Sequence, residues 1–341
     1  MTRWMRRFGL FAATVLLLAA LISLINYLQL QTLAAPAPGQ LLAYKALTQP
    51  TNYQHVDNNS CTANRLTALA HPFIENTAPA ITQAFALGAA KVHLNIQLSA
   101  DQQLVVFHDR ALDCRTNGRG LVSKHTLAQL AALDVGYGYQ LQQQSGYPLR
   151  GKGVGLLQSL AQILAAYPDK AFVLNLKNPQ PAAVGALVQV LQALPPAQQQ
   201  LITVLADDSI VSTVANQLPQ QRRFSQGMAK SCFIQYALLG WSGYFPPVCR
   251  NTDLLIPASY GKYLWGWPAG FAARAQAQHS EVYLYQTNQL YRPAVDLRAE
   301  GIGLFTGDIA TASQAANAAR PAASAVVGGR LSMAAWRGQA Y

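Results

Sequence analysis

The sequence predicts an α/β protein, namely a (βα)8 barrel of the TIM type with an insertion after its second strand, preceded by one N-terminal transmembrane helix. One apolar run near the start is about as long as a helix that spans a bilayer. The roughly 300 residues that follow suit one large barrel better than two small domains. Eight apolar runs of strand length, most of them followed by a helical pattern, indicate a closed parallel sheet.

The N-terminal segment has the layout of a membrane anchor. Residues 1–7 form a tip with three arginines, and residues 8–28 form the apolar span. The arginines would keep the tip in the cytoplasm and send the rest of the chain across the membrane. A cleaved signal peptide is the alternative, because Leu33-Ala34-Ala35 offers small residues, but the span is longer than an ordinary signal core. We therefore expect a single-pass protein of a bacterial-type inner membrane with a periplasmic C-terminal domain.

A linker with two prolines, residues 29–40, joins this anchor to the barrel domain, residues 41–341. Eight barrel strands are predicted at 41–46, 91–97, 172–177, 201–205, 222–226, 254–257, 282–285 and 302–305. Six helices are predicted at 80–87, 159–166, 181–194, 210–218, 270–277 and 310–319. A further strand at 104–107 belongs to the insertion, at about 99–150. Chemistry in such a barrel is expected at the C-terminal ends of the strands.

Composition restricts the partners of the domain. The net charge is +11, but three of the positive charges lie in the N-terminal tip. The other basic residues are scattered singly rather than in stripes with interleaved aromatic residues, so nucleic acid is not an expected partner. Anionic lipid head groups or anionic substrates suit the charge better.

Four cysteines in a chain expected outside the cytoplasm indicate disulfide bonds. Three pairings are possible, and we favour Cys61 with Cys114 and Cys232 with Cys249. The second pair would close a short loop, and the first would tie together two loops of the domain. A zinc site is not expected, because no cysteine lies near another ligand at metal-binding spacing.

Residues 75–134 hold the stretch around which the chain is organised. Polar side chains alternate with apolar ones along the second strand, at Lys91, His93, Asn95 and Gln97. A second apolar strand is followed directly by His108 and Asp109. Polar side chains two residues apart on a strand, beside a His-Asp step, are more typical of the wall of a site than of a core.

This stretch resembles the glycerophosphodiester phosphodiesterases, in particular a periplasmic-type branch. The likeness is carried by Glu75-Asn76-Thr77, by the Ala-Phe and Gly-Ala spacing after it, by Val-Val-Phe-His-Asp ending at Asp109, and by the following Leu-Asp-Cys-Arg-Thr-Asn-Gly. It extends from about residue 41 to the C-terminus. The resemblance implies a (βα)8 barrel that cleaves glycerol phosphodiesters with two histidines and a divalent metal.

The resemblance also implies acidic ligands for calcium or magnesium, and these are replaced. The family carries Glu and Asp on the second strand and a third acidic ligand on the next, where this sequence has His93, Asn95 and Asn175. The three glutamates of the chain, Glu75, Glu281 and Glu300, fall on none of these positions. Because hard cations need anionic oxygen ligands, no metal cofactor is predicted.

The family's pair of histidines is incomplete as well. The first opens a His-Arg-Gly motif on the first strand, where Tyr44-Lys45-Ala46 stands. A tyrosine with its ordinary pKa of about 10 cannot act as a base near neutral pH. The second histidine corresponds to His108, which is the predicted catalytic residue. Around the barrel mouth we predict a substrate-binding set of Tyr44, Lys45, His93, Asn95, Asn175 and Lys177.

These replacements predict a large loss of activity. Losing one acid-base group costs about 10²-fold to 10⁴-fold in rate, and losing a metal costs several kcal/mol more. The leading interpretation is a membrane-anchored, phosphodiesterase-like protein with lost or strongly reduced metal-dependent hydrolysis, which binds a phosphate ester, a lipid-derived small molecule or a partner. One alternative is a metal-independent hydrolase in which His108 and His93 exchange protons while Lys45 or Lys177 holds the phosphate. A scaffold that uses only its outer surface is another.

Other motifs receive structural interpretations. Glu75 and the two residues after it are expected to open the first barrel helix. Asp113, Arg115 and Asn117 are expected to form turns of the insertion. The aromatic run at 260–268 is expected either to line a pocket for a lipid or polyol or to pack over the barrel rim.

Overall fold

The computed structural model describes residues 2–56, 60–143, 146–177, 180–285 and 296–318. Eight parallel strands form a nearly closed barrel in the order β6-β5-β4-β2-β1-β9-β8-β7, and β3 pairs antiparallel with β2 outside this path. The strands are β1 (Leu41–Ala43), β2 (Lys91–Leu98), β3 (Leu104–Val106), β4 (Ala171–Leu176), β5 (Ile202–Leu205), β6 (Arg222–Phe224), β7 (Asp253–Pro257), β8 (Glu281–Tyr285) and β9 (Ile302–Thr306). The predicted fold class is confirmed, and each predicted strand overlaps one of these.

Most of the helices surround the barrel, whereas the first precedes it and the third lies in the insertion. The helices are α1 (Thr2–Thr32), α2 (Ala78–Ala86), α3 (Leu127–Ala131), α4 (Leu160–Ala166), α5 (Pro181–Gln192), α6 (Pro196–Gln200), α7 (Asp208–Gln217), α8 (Gln226–Leu239), α9 (Ala269–Gln276) and α10 (Ile309–Ala318). The six predicted helices are present, although residue 319 of the last one lies outside the described residues. The sequence interpretation missed α8, because the apolar residues of this helix lie on all of its sides and leave no amphipathic pattern.

The barrel has two apolar regions. Outward-facing strand residues pack under the helices in one large core, whereas Leu42, Val173, Tyr283 and Phe305 fill the inside of the barrel. All eight residues of β2 are buried, as expected for a strand with both faces covered. The alternation of polar and apolar residues in β2 therefore separates the inside of the barrel from its outer core.

A buried charge network occupies the N-terminal end of the barrel. Lys91, at the start of β2, lies 2.7 Å from Asp253 and 3.4 Å from Glu281 (Nζ to carboxylate oxygens). Arg222 of β6 lies 2.9 Å from the same Asp253 of β7, so this ion pair bridges the two strands at which the sheet order ends. Burial opposes ionisation of Asp253, but Lys91 and Arg222 outweigh it and lower its pKa to about 2. Lys91 therefore belongs to this network and not to the mouth.

The insertion has a small core of its own and is tied to the barrel by a disulfide. Residues including Phe107, Leu112 and Leu130 form this core. The bond between Cys61 and Cys114 has a Cα–Cα distance of 5.4 Å. The predicted second bond, between Cys232 and Cys249, is present as well. The insertion is therefore held firmly above the C-terminal ends of the strands.

The N-terminal helix α1 is long and apolar enough over Trp4–Thr32 to cross a membrane, and its most apolar 18-residue window has a mean hydropathy of 2.6. A signal sequence has the same properties. The helix includes residues 29–32, which the sequence analysis placed in the linker. The other predicted domain boundaries remain predictions.

Candidate functional site

The C-terminal ends of the barrel strands form a mouth lined with polar side chains. The predicted substrate-binding residues lie at it or just below it: Tyr44, Lys45, His93, Asn95, Asn175 and Lys177. Asn95 of β2 and Asn175 of β4 are direct partners in the parallel register, and His93 lies one inward-facing level deeper. Lys177 follows β4 and is exposed at the rim. The structure thus brings these six residues to one end of the barrel, and their role in binding a substrate stays a prediction.

His93 is buried and enclosed by aromatic rings. Its ring stacks on Tyr44 at a centroid distance of 5.2 Å and contacts the edge of Phe305 at 5.3 Å. Nδ1 accepts the backbone N–H of Lys45 at 3.3 Å, and Nε2 lies 3.2 Å from Nδ2 of Asn175. Burial, and then the charges of nearby lysines, hold the His93 pKa well below its usual value. Because both ring nitrogens are engaged and the ring stays neutral, His93 is poorly placed to exchange protons with a second histidine.

Tyr44 forms an aromatic wall rather than a base. Its ring contacts Tyr285 and Phe305 edge-on at 6.5 and 5.3 Å. Burial, and then the negative charge of Glu75, raise the pKa of Tyr44 well above its ordinary value. The hydroxyl therefore stays protonated at neutral pH, as the sequence analysis expected.

His108 reaches the mouth from the insertion, paired with Asp109 at 2.6 Å between Nδ1 and Oδ1. Burial, and then the positive charge of Lys45, lower the His108 pKa to about 4. The imidazole is therefore neutral at pH 7. Because the anionic Asp109 can only accept, Nδ1 carries the ring proton and Nε2 is left as the acceptor. His108 can take up a proton but has none to give from this nitrogen.

Arg115, interpreted from the sequence as a turn residue, has a side chain that is buried behind the mouth. Its Nε lies 2.9 Å from Oδ2 of Asp109, and its Nη1 lies 3.4 Å from Oε1 of Glu75. The guanidinium also donates to the hydroxyls of Tyr139 and Thr62 at 2.8 and 2.6 Å. The backbone of Arg115 lies in a turn, as expected, but the sequence did not show the role of its side chain, because Glu75, Thr62 and Tyr139 are distant from it in sequence.

Glu75, which was expected only to open a helix, also forms ion pairs behind the mouth. Its Oε1 lies 3.2 Å from Nζ of Lys45, which is itself buried. Lys45, Glu75, Arg115 and Asp109 form a buried ion-pair chain of alternating charge, and neutral His108 is hydrogen-bonded to Asp109 at its end. Burial opposes ionisation of both carboxyl groups, but Arg115 outweighs it, and the pKa values of Glu75 and Asp109 are lowered. Both carboxylates are thus ionised and already neutralised by side chains.

A hard divalent cation does not fit the residues at this mouth. The three positions that carry acidic ligands in similar proteins hold neutral groups, namely His93, Asn95 and Asn175. Among the described residues there is no group of three or more His, Cys, Asp or Glu side chains able to hold a metal. The nearest carboxylates, Glu75 and Asp109, already face Lys45 and Arg115. A calcium or magnesium ion would meet positive charge without an uncompensated anionic ligand.

The space beside the ion-pair chain is small too. The cavity lined by Glu75, His108 and Arg115 has a volume of about 10 Å³. This is room for about one water molecule. Its lining does not include His93, Asn95 or Asn175, so it lies beside the positions of the replaced ligands and not at them.

Backbone strain and unpaired polar atoms also concentrate at the mouth. Lys45, Ala46 and Asn76 adopt left-handed conformations with φ values of 53°, 66° and 59°. Ala46 stands where the resembling family has glycine, the residue that adopts this conformation without steric cost. The buried Oδ1 of Asn95 and Nδ2 of Asn76 have no hydrogen-bond partner. Because strained residues and unpaired buried groups cluster at binding and catalytic sites, they make this mouth the candidate site.

Comparisons with known proteins agree with the geometry. A family model for the glycerophosphoryl diester phosphodiesterases matches residues 64–219. An uncharacterized protein of Mycobacterium tuberculosis is 30% identical over 183 residues, which are 50% of this chain and 60% of that protein. A glycerophosphodiester phosphodiesterase of Caldanaerobacter subterraneus is 34% identical over 103 residues, 30% of this chain and 39% of the relative. The chain thus matches less than two thirds of the length of either relative.

Solved structures show the same fold. The crystal structure of the glycerophosphoryl diester phosphodiesterase domain of the Mycobacterium tuberculosis protein has a TM-score of 0.58 and 19% identity, covering 81% of this chain and 98% of that domain. An Oleispira antarctica phosphodiesterase, solved with the product sn-glycerol-3-phosphate, has a TM-score of 0.54 and 17% identity, covering 82% of this chain and 97% of that one. The family match and these named relatives support the membership of this chain in the glycerophosphoryl diester phosphodiesterase family, and the solved structures show that it shares the barrel fold.

Proposed function

We propose that this protein is a membrane-anchored, extracytoplasmic member of the family that binds a phosphate ester and has lost, or nearly lost, metal-dependent phosphodiester hydrolysis. One observation carries the proposal. Where the family holds a cation with acidic side chains, this mouth has neutral His93, Asn95 and Asn175, and its carboxylates are neutralised by Lys45 and Arg115. A divalent ion would thus find no free anionic ligand among these residues.

Such a mouth suits an anionic ligand. Lys177 is exposed at the rim, so its ammonium group is free to approach a phosphate from solvent. The amide groups of Asn95 and Asn175 lie side by side and can donate or accept. The aromatic wall of Tyr44, Tyr285 and Phe305 offers an apolar face to a polyol carbon chain. A phosphate ester as ligand is also supported by the Oleispira antarctica structure, which holds sn-glycerol-3-phosphate.

The location of the domain is proposed from two features. The apolar helix α1 follows three arginines, which favour a cytoplasmic N-terminus and an inner-membrane anchor. Disulfide bonds are typical of oxidising compartments such as the periplasm, and the domain has two.

The second candidate function is metal-independent hydrolysis, and the geometry of His108 favours it as the runner-up. Neutral His108 is oriented by Asp109, which is the arrangement of a general base. A second proton-transfer group is harder to find, because His93 is enclosed and neutral. Turnover that persists in a chelator and disappears in His108→Ala would establish this function in place of the first.

The binding proposal predicts a strong effect of Lys177→Met. Because a hydrogen bond to a charged group contributes about 1.5–3 kcal/mol, the dissociation constant for sn-glycerol-3-phosphate should rise by about 10-fold to 100-fold. Isothermal titration calorimetry of the full chain in detergent measures this. The matched control is Lys170→Met. Lys170 precedes β4 at the opposite end of the barrel, and among the described residues its ion pair is with exposed Asp169. Equal affinities for the wild type and Lys177→Met would contradict the proposal.

A further inference from the structure

Outside α1, half of the exposed large apolar side chains lie in one part of the domain. The described residues contain twelve such side chains, and six of them lie on α8 or on the turn after β7: Ile234, Leu238, Leu239, Tyr260, Tyr263 and Trp265. We term these six residues the α8 patch. Contiguous exposed apolar surface on a folded domain marks a site of contact with a protein or a membrane.

Hydrogen bonds hold the two halves of the α8 patch together. Trp265 Nε1 donates to the carbonyl of Ala237 at 2.7 Å, and the hydroxyl of Tyr236 donates to the carbonyl of Trp265 at 2.8 Å. On α8, Cys232 and Tyr236 face the core, while Ile234, with Leu238 and Leu239 one turn later, faces away. The aromatic run at 260–268 therefore extends the exposed side of α8. Neither predicted role, pocket lining or rim packing, describes this part of it.

The α8 patch adjoins the point where α1 meets the domain. Asn26 of α1 is buried, and its Nδ2 donates to the carbonyl of Trp241 at 2.6 Å. The guanidinium of Arg274 donates to Oδ1 of Asn26, to the hydroxyl of Tyr236 at 2.8 Å and to the carbonyl of Gly240 at 3.1 Å. The end of α1, the end of α8 and helix α9 thus share one polar junction.

The length of the apolar span places this junction at the level of the membrane surface. At a rise of 1.5 Å per residue, the uninterrupted apolar run 8–25 extends about 27 Å, close to the roughly 30 Å of the hydrocarbon core. Asn26 directly follows that run. Because Tyr236 and Trp241 lie against Asn26 and Arg274, the neighbouring α8 patch lies at the same level.

The charge of this region suits a membrane surface as well. Within residues 226–268 the one acidic residue is Asp253, which is buried in the barrel, whereas Lys230 and Lys262 are exposed. Lys262 lies with its Nζ 5.1 Å from the ring centroid of Tyr263. Tyrosine, tryptophan and lysine are the residues that favour the head-group region of a bilayer.

From these observations we propose that the α8 patch lies in the head-group region of the bilayer that α1 enters, so that the folded domain makes a second, interfacial contact with lipid. The proposal rests on the anchoring role of α1 in the proposed function. It adds that the barrel is not a freely tethered domain but is held against the membrane by α8 and the turn after β7.

Quenching of tryptophan fluorescence by lipid bromine atoms tests this contact. The full chain carrying Trp4→Phe, which removes the tryptophan inside α1, is reconstituted in vesicles whose phospholipids are brominated at acyl carbons 6 and 7. We expect Trp265→Phe to remove a large part of the quenchable emission. Trp267→Phe is the matched control, because the Trp267 ring packs on Phe271 and should contribute little.

A second pair of variants separates contact from folding. Leu238→Asp with Leu239→Asp should reduce the quenching of Trp265 at least twofold, whereas Leu69→Asp, at an exposed leucine elsewhere, should leave it unchanged. Flotation of the vesicles reports the anchor independently. Protein that floats but shows equal quenching with and without Trp265 overturns the interfacial contact and leaves the anchor intact, and protein that does not float overturns both.

Discussion

Replacing Arg115 with methionine is expected to lower the free energy of unfolding by about 3–5 kcal/mol, because it leaves buried carboxylates without their counter-charge. Arg115 is the one residue that contacts both Asp109 and Glu75 in the buried ion-pair chain. Methionine keeps much of the side-chain volume, so the effect reports charge rather than a cavity. Denaturant unfolding of the oxidised protein, followed by circular dichroism, measures the change.

The loss should also depend on pH in a defined direction. In the wild type the pKa values of Glu75 and Asp109 are lowered, so their contribution is present above pH 4–5, near their ordinary pKa values, and is lost as the pH falls. Without Arg115, burial would raise these pKa values, and stability would be lost as the pH rises instead. The difference between wild type and variant should thus be larger at pH 8 than at pH 5.

Arg119→Met, at an exposed arginine of the same insertion, should change stability by less than about 0.5 kcal/mol. A similar small effect for Arg115→Met would show that the ion-pair chain is not a structural element.

Restoring carboxylates at the mouth is expected to create a metal site. The combined change Tyr44→His, His93→Glu and Asn95→Asp returns two carboxylate groups and a histidine to the positions where the family carries them. Calcium at 100 times its dissociation constant should then stabilise the variant by about 2.7 kcal/mol. The wild type should show no such stabilisation, because its mouth offers no uncompensated anionic ligand.

The melting temperature with calcium, with magnesium and with a chelator measures this gain. Tyr44→His alone serves as the control, since it adds a histidine without adding negative charge. If the combined variant folds and its melting temperature does not respond to either ion, then the placement of these residues around one cation position is wrong.

The barrel was predictable because its signal is local. Most strands are apolar runs of strand length, although β6 begins with two arginines. The alternation in β2 correctly separates His93 and Asn95 from the outer core. The same alternation could not tell that Lys91, on the same face, lies at the far end of the barrel with Asp253. Periodicity gives the face of a strand, whereas the level along the barrel depends on where each strand begins.

The electrostatics of the mouth was only half predictable. The loss of the acidic ligands is visible in the sequence at three positions, His93, Asn95 and Asn175. The neutralisation of Glu75 is not, because Lys45 and Arg115 lie 30 and 40 residues away from it and belong to different loops. The available signal was an arginine directly after a cysteine in a polar turn, since the disulfide at Cys114 fixes the backbone from which Arg115 projects.

The central claim, that the mouth offers no free anionic ligand to the divalent ion that the family holds, is tested most directly by one assay. Purified full-length protein is incubated with glycerophosphodiesters in the presence of calcium, of magnesium or of a chelator, and release of glycerol phosphate is measured. This account predicts negligible release that is the same in all three conditions. Robust release with calcium or magnesium that the chelator abolishes would contradict it.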